Sequence, residues 1–212
     1  MNKFFKDGQT VLFQGDSITD TGRDREDITS LGNGYPKYVK AIYDGMFPYN
    51  KVNFINKGIA NDGLSHLLSR YDTDFKEINP DFISILIGIN DVNPKCDANS
   101  LADVKPFYEK YELLLTKIKK DMPNAPIMII EPFLVMTDPK YFYWHNDLDP
   151  KIQAIRALAK KYADFYLPLD GILTSYTFKG YSADDLTGDG VHPSPTGAAI
   201  IANEYLKTLN II

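Results

Sequence analysis

The sequence predicts a three-layer α/β/α fold around a five-stranded parallel sheet, on three observations. Apolar runs recur at residues 11–13, 52–55, 82–87, 126–130 and 165–167. Amphipathic stretches of helical length separate most of them, and strands alternating with helices build a parallel sheet covered on both faces. The run 82–87 is nearly continuous in apolar residues, as a strand buried on both sides requires.

The first strand runs into Gly15, and residues 16–20 open a loop or helix turn in which Ser17 stands as a cap or as an exposed nucleophile. Residues 21–33 are polar and charged, a loop at the Ser17 end. Tyr35, Tyr38, Val39, Ile42 and Met46 then recur at helical spacing. Gly58 closes the second strand, and Asn61 or Asp62 is placed to cap a helix with Leu64, Leu67, Leu68 and Tyr71 on its apolar face. The third strand ends in Gly88-Ile89-Asn90-Asp91. A long helix from Val104 to Ile118 comes next, with Pro106 tolerated in its first turn.

Residues 131–149, with Tyr141-Phe142-Tyr143-Trp144, read as a long irregular loop. Asp149 as cap and Pro150 at the first position then start a helix. After the fifth strand, a loop through Gly180 and Gly188 reaches Asp189-Gly190-Val191-His192-Pro193. Ser194 and Pro195 open the last helix, with Ala198, Ile201, Ala202, Tyr205 and Leu209 buried.

A single domain over residues 1–212 accounts for all of this, with no repeat or linker. The net charge of −5 and the lack of a basic run argue against nucleic acid as a partner. Cys96 is the sole cysteine, so no intrachain disulfide forms and nothing points to an oxidising compartment. The first seven residues hold no apolar signal segment, and no stretch approaches the ~20 apolar residues of a membrane span. The expectation is a soluble cytoplasmic protein with no membrane partner.

In an open parallel sheet, ligands bind beyond the carboxyl ends of the strands, where the strand order reverses. With the flavodoxin-like order 2-1-3-4-5, Ser17 and Asn90 flank that crevice, and Gly58 lies on the same edge. A serine nucleophile needs a base, and the base needs an orienting acid. His66 lies on a helix among leucines, a surface or core-edge position. His145 lies in the aromatic loop, as a substrate contact or a solvent-exposed residue. His192 has Asp189 three residues before it, the spacing of one helical turn. Asp189 could hold the imidazole or simply cap the turn before the last helix. Attack on an ester builds charge on the carbonyl oxygen, and each donor there is worth ~2.7–4 kcal/mol of barrier. The Ser17 and Gly58 N–H groups and the Asn90 carboxamide are the candidate donors; Gly58 and Asn90 also suit plain turn roles.

Four blocks, Gly15-Asp16-Ser17, Gly58, Gly88-Ile89-Asn90-Asp91 and Asp189-Gly190-Val191-His192-Pro193, resemble in kind and order those of the SGNH (GDSL) hydrolase family, across nearly the whole chain. The resemblance implies the SGNH hydrolase fold, a Ser17–His192–Asp189 triad, and an oxyanion hole of Ser17, Gly58 and Asn90. It implies no metal and no cofactor. The longer wording from Gly15 to Arg23, with Asn56-Lys57-Gly58-Ile59, is similar to intracellular acetylxylan and acetyl-xylooligosaccharide esterases of that family. The substrate implied is a short-acyl ester, an acetylated saccharide above all. Asp16, Arg23, Tyr35 and Trp144 are candidate substrate contacts, with Tyr141 and Tyr143 as further aromatic surfaces for sugar. Arg23 alternatively positions a loop or pairs across a subunit interface.

Rival readings are a metal-dependent phosphoesterase using Asp16, Asp20, Asp91 and Asp189, a lysophospholipase or thioesterase, and a non-catalytic carbohydrate-binding relative. Relatives of this type often self-associate, so a homo-oligomer is expected.

Overall fold

The computed structural model describes residues 4–212. Met1, Asn2 and Lys3, part of the N-terminal stretch expected to lack a signal segment, lie outside the described residues. Five parallel strands form one sheet in the order β2-β1-β3-β4-β5. They are β1 (Thr10–Gly15), β2 (Asn53–Asn56), β3 (Phe82–Leu86), β4 (Ile127–Ile130) and β5 (Phe165–Leu167). The order is the one the sequence predicts.

Alternation along the strands divides the core. Val11 and Phe13 of β1, with Phe82 and Leu86 of β3, face helices α2 (Tyr35–Met46) and α8 (Pro195–Thr208). Leu12, Ile83 and Ile85 face the other layer, made by α3 (Leu64–Ser69), α4 (Val104–Asp121) and α5 (Tyr141–Tyr162). All five residues of β3 are buried, since a central parallel strand is covered on both sides.

Register brings the crevice together. Gly15 pairs with Leu86 and Phe13 with Asn56, so the carboxyl ends of β1, β2 and β3 finish side by side. The four-residue helix α1 (Ser17–Asp20) leaves β1 there at once. Gly15 permits this abrupt exit: a Cβ on it would lie 2.3 Å from Thr19 Oγ1 and 2.4 Å from the Leu86 carbonyl oxygen.

Several local expectations are corrected. Residues 141–148 are helical, not looped, because α5 begins at Tyr141 rather than at Asp149. Tyr141, Leu148, Ile152 and Ile155 give α5 a buried stripe that runs straight through the Asp-Pro signal. Asp149 caps nothing; its carboxylate takes His145 Nδ1 at 2.7 Å. Pro150 leaves one carbonyl of the preceding turn without its helical donor, a defect the packed stripe tolerates. The segment read as a loop between β5 and Gly188 holds α6 (Leu169–Thr177) and α7 (Ala183–Leu186). Neither Asn61 nor Asp62 caps α3: Gly63 is the capping position, and the Asp91 carboxylate accepts the Leu64 N–H at 3.1 Å. No helix among the described residues is long and apolar enough to cross a membrane.

Candidate active site

Ser17 is the first residue of α1, and the cap before it is Asp16, whose Oδ1 accepts the Ile18 N–H at 3.0 Å. The capping role considered for Ser17 therefore belongs to its neighbour, which leaves the serine side chain free. Ser17 Oγ lies 2.9 Å from His192 Nε2. His192 Nδ1 lies 2.6 Å from Asp189 Oδ2. A carboxylate only accepts, so Nδ1 carries the proton and Nε2 is left as the acceptor facing the serine hydroxyl.

The Asp189–His192 pair is not on a helical turn. Asp189 Oδ1 accepts the Val191 and His192 N–H groups at 2.9 and 2.7 Å, folding residues 189–192 into a side-chain-closed turn. Asp189 thus caps a turn and holds the imidazole with one carboxylate. Burial pushes this carboxyl up, but the His192 backbone and ring donors and the Val191 N–H outweigh that and hold it below the ordinary range. The turn is strapped down from behind. Tyr141 Oη donates to the Asp189 carbonyl at 2.6 Å, and the Val135 N–H to the Gly190 carbonyl at 2.8 Å. Gly190 sits at φ +88° in the left-handed region, pressed against the Tyr141 ring.

The expected oxyanion donors fare differently. The Ser17 N–H makes no hydrogen bond among the described residues. Asn90 is exposed beside the crevice, and its Nδ2 donates to the Asp62 carbonyl at 3.0 Å, which orients the amide. Gly58 does not offer an open donor: its N–H is taken by the buried Asn56 Oδ1 at 2.8 Å. Its missing Cβ instead lets the chain pass α1, since a Cβ would come within 2.5 Å of the Asp20 nitrogen. A free donor lies three residues on, in the same loop after β2. Asn61, at φ +68°, is the second central residue of a turn closed by the Asp62 N–H on the Ile59 carbonyl, and its own N–H has no partner among the described residues. Asn-Asp-Gly is a turn signal visible in the sequence, there read as a helix cap.

The cleft in front of Ser17 has a volume of about 300 Å³ and is lined by Ser17, Asp20, Thr21, Gly22, Ala60, His192 and Pro193. A larger hollow of about 610 Å³ lies by Phe4, Pro80, Asp121 and Pro126, at the amino ends of the strands and away from this chemistry.

The proposed substrate contacts are largely corrected. Asp16 and Tyr35 are fully enclosed, at 0% and 1% exposure, and cannot touch a ligand in the cleft. Burial drives the Asp16 carboxyl up to about 7, against the pull of the Ile18 N–H and the His192 ring. Arg23 is also buried, and its Nε donates to the Gly58 carbonyl at 2.9 Å, which is the loop-positioning alternative. Trp144 packs at a tilt against Tyr141, ring centres 5.0 Å apart, outside the cleft lining. Tyr141 is buried and bound to the Asp189 carbonyl, while Tyr143 stays partly exposed. His66 is exposed and accepts the Gly63 N–H; His145 is on α5. Among the described residues no three His, Cys, Asp or Glu side chains converge as a metal-ligand set.

Residues 13–200 match the model of the GDSL-like lipase/acylhydrolase family. An acetylxylan esterase of Geobacillus stearothermophilus is 28% identical over 211 residues, covering 95% of this chain and 94% of that protein. A solved variant structure of a G. stearothermophilus acetyl xylan esterase superposes with a TM-score of 0.84 at 26% identity, covering 99% of this chain and 98% of the other. Catalytic mutants of that esterase have a serine, an aspartate or a histidine replaced by alanine. A GDSL-like lipase homologue from Parabacteroides merdae superposes with a TM-score of 0.87 at 27% identity, covering 98% of each chain.

Proposed function

The chain belongs to the GDSL-like lipase/acylhydrolase family and is a serine ester hydrolase, and from that premise we propose that it removes short acyl groups, acetyl first, from plant-derived oligosaccharides. The reaction is a two-step acyl transfer. His192 Nε2 takes the Ser17 hydroxyl proton as Oγ attacks the ester carbonyl. The tetrahedral oxyanion is held by the Ser17 N–H, the Asn90 carboxamide and the Asn61 N–H. Asp189 keeps Nδ1 protonated and stabilises the imidazolium while it exists. The imidazolium then gives its proton to the departing sugar oxygen. A water activated by His192 attacks the acyl-enzyme, and acetate leaves with Ser17 restored.

The observation that carries this reading is the continuous hydrogen-bonded chain from Ser17 through His192 to Asp189 at the mouth of the cleft. The acetyl preference is supported by similarity to an acetylxylan esterase. The reading extends to a single domain over residues 1–212 acting as a cytoplasmic homo-oligomer. The lone, half-buried Cys96 and the exposed Phe178 and Tyr181 are compatible with that.

A chain-length series of p-nitrophenyl esters, run beside acetylated xylo-oligosaccharides, tests the substrate. The proposal expects acetyl esters to give the highest kcat/KM and acetate to be released from the oligosaccharides. A preference for long acyl chains overturns it in favour of a lysophospholipase or thioesterase. Tight sugar binding without turnover would instead favour a binding protein.

A further inference from the structure

Asp20 ends the helix that begins with Ser17, and its carboxylate is among the best-enclosed charges at the site. The residue is 4% exposed. Oδ2 accepts the Ala60 N–H at 2.9 Å and Arg25 Nη2 at 2.9 Å, and Oδ1 accepts the Arg23 N–H at 3.3 Å. A buried carboxylate holds its charge only when donors surround it, and here one donor is the amide directly before Asn61.

Ala60 and Asn61 are the two central residues of the turn over 59–62. Fixing the Ala60 N–H restrains the next peptide, whose N–H belongs to Asn61 and is unpartnered among the described residues. The far side of the turn is held as well, since the Asp62 carbonyl accepts Asn90 Nδ2 at 3.0 Å. One short turn therefore links α1 to the Asn90 amide. Lower down, the same loop is tied to α1 and to the segment after it: Asn56 Nδ2 donates to the Thr19 carbonyl at 2.6 Å, and Arg23 Nε to the Gly58 carbonyl at 2.9 Å. Those two contacts act before Ile59. At Ala60, Asp20 alone among the described residues ties the backbone N–H to the nucleophile helix.

We infer that Asp20 is a positioning residue for the oxyanion site, its carboxylate setting the 59–62 turn against the helix that carries Ser17. It touches no reacting atom in this role; it acts through the Ala60 and Asn61 amides. Arg25 stands outside this role, since its side chain is 52% exposed and its pairing with Asp20 is screened by water. The inference rests on the serine-esterase reading of the site and not on the saccharide substrate, so p-nitrophenyl acetate suffices to test it.

Asp20→Ala, Asp20→Asn and Arg25→Ala are compared with the parent protein for kcat, KM, melting temperature and the Kd of an arylboronic acid, whose adduct with Ser17 presents an oxygen to the oxyanion donors. Asp20→Ala is expected to lower kcat by about 10–100-fold, less than loss of a direct donor, with KM within about twofold. Boronate affinity should fall by a like factor. Asp20→Asn retains an oxygen acceptor for the Ala60 N–H and should recover most of the loss, which also keeps the test informative where Asp20→Ala fails to fold. Arg25→Ala should stay near parental activity. Parental kcat and boronate affinity in a folded Asp20→Ala, or failure of Asp20→Asn to recover activity in a folded protein, overturns the inference. Ser17→Ala separates the two ideas: if it keeps activity the esterase site itself is misassigned, and if it is inactive beside a fully active Asp20→Ala, only the positioning role is lost.

Discussion

Ser17 Oγ and His192 Nε2 stand 2.9 Å apart although 175 positions separate them in the chain. Two unrelated devices make that contact. One is the abrupt strand-to-helix exit at Gly15; the other is the turn over 189–192, closed by the Asp189 carboxylate and braced by Tyr141.

Asp189→Asn tests the carboxylate apart from the turn. The amide oxygen still accepts the Val191 and His192 N–H groups, so the loop keeps its shape, but the imidazolium loses its counter-charge. A fall in kcat of about 10²–10⁴-fold with an unchanged melting temperature is expected in p-nitrophenyl acetate assays. An active variant would remove Asp189 from the mechanism.

Asn90→Ala removes the side-chain donor proposed for the oxyanion and strips the Asp62 carbonyl of its partner. A loss of about 10²–10³-fold in kcat, with little change in KM, is the expected signature. A change confined to KM would make Asn90 a substrate-binding group instead.

Gly190→Ala strikes the brace. At φ +88° a side chain is strained, and its Cβ would come within 2.5 Å of the Tyr141 ring and 2.6 Å of the Val135 carbonyl oxygen. Urea unfolding should show a loss of about 1–3 kcal/mol from backbone strain alone, with activity falling alongside. Gly188→Ala, which meets open space, serves as the control.

Asp16→Asn addresses the buried cap. Its carboxyl is raised from 3.8 to about 7, chiefly by burial. Between those values the folded protein keeps a proton that the unfolded chain has released, so this group makes stability fall as pH rises through that window. Asparagine keeps the oxygen that caps Ile18 and cannot ionise. The variant should gain on the parent progressively from about pH 4 to 7, by on the order of a few kcal/mol. Thermal melts across that range check it; parallel curves for the two proteins would contradict it.

The sheet was legible in the sequence because each strand centres on a short, largely apolar run, and the order 2-1-3-4-5 fixes which turns share an edge. Ser17, Asn90 and the Asp189–His192 pair could be read for the same reason: each sits immediately beyond an apolar strand or within a short block of polar residues. What misled was local punctuation. Asp149-Pro150 has the chemistry of a helix start, yet Tyr141 and Leu148 bury the same face as Ile152 and carry the helix through it. Gly58 looked like a donor because glycine admits close approach; here the approach is by α1, and Asn56 occupies its N–H. Asp16, Arg23 and Tyr35 were polar or aromatic neighbours of the nucleophile, but sequence proximity does not reveal depth, and all three point inward.

The most direct measurement is hydrolysis of p-nitrophenyl acetate by the parent protein and Ser17→Ala, each assayed with and without EDTA. Parental activity should persist in EDTA, and Ser17→Ala should fall by at least about 10³-fold while remaining folded. Substantial turnover by folded Ser17→Ala, or loss of parental activity in EDTA that returns with added metal, would contradict it.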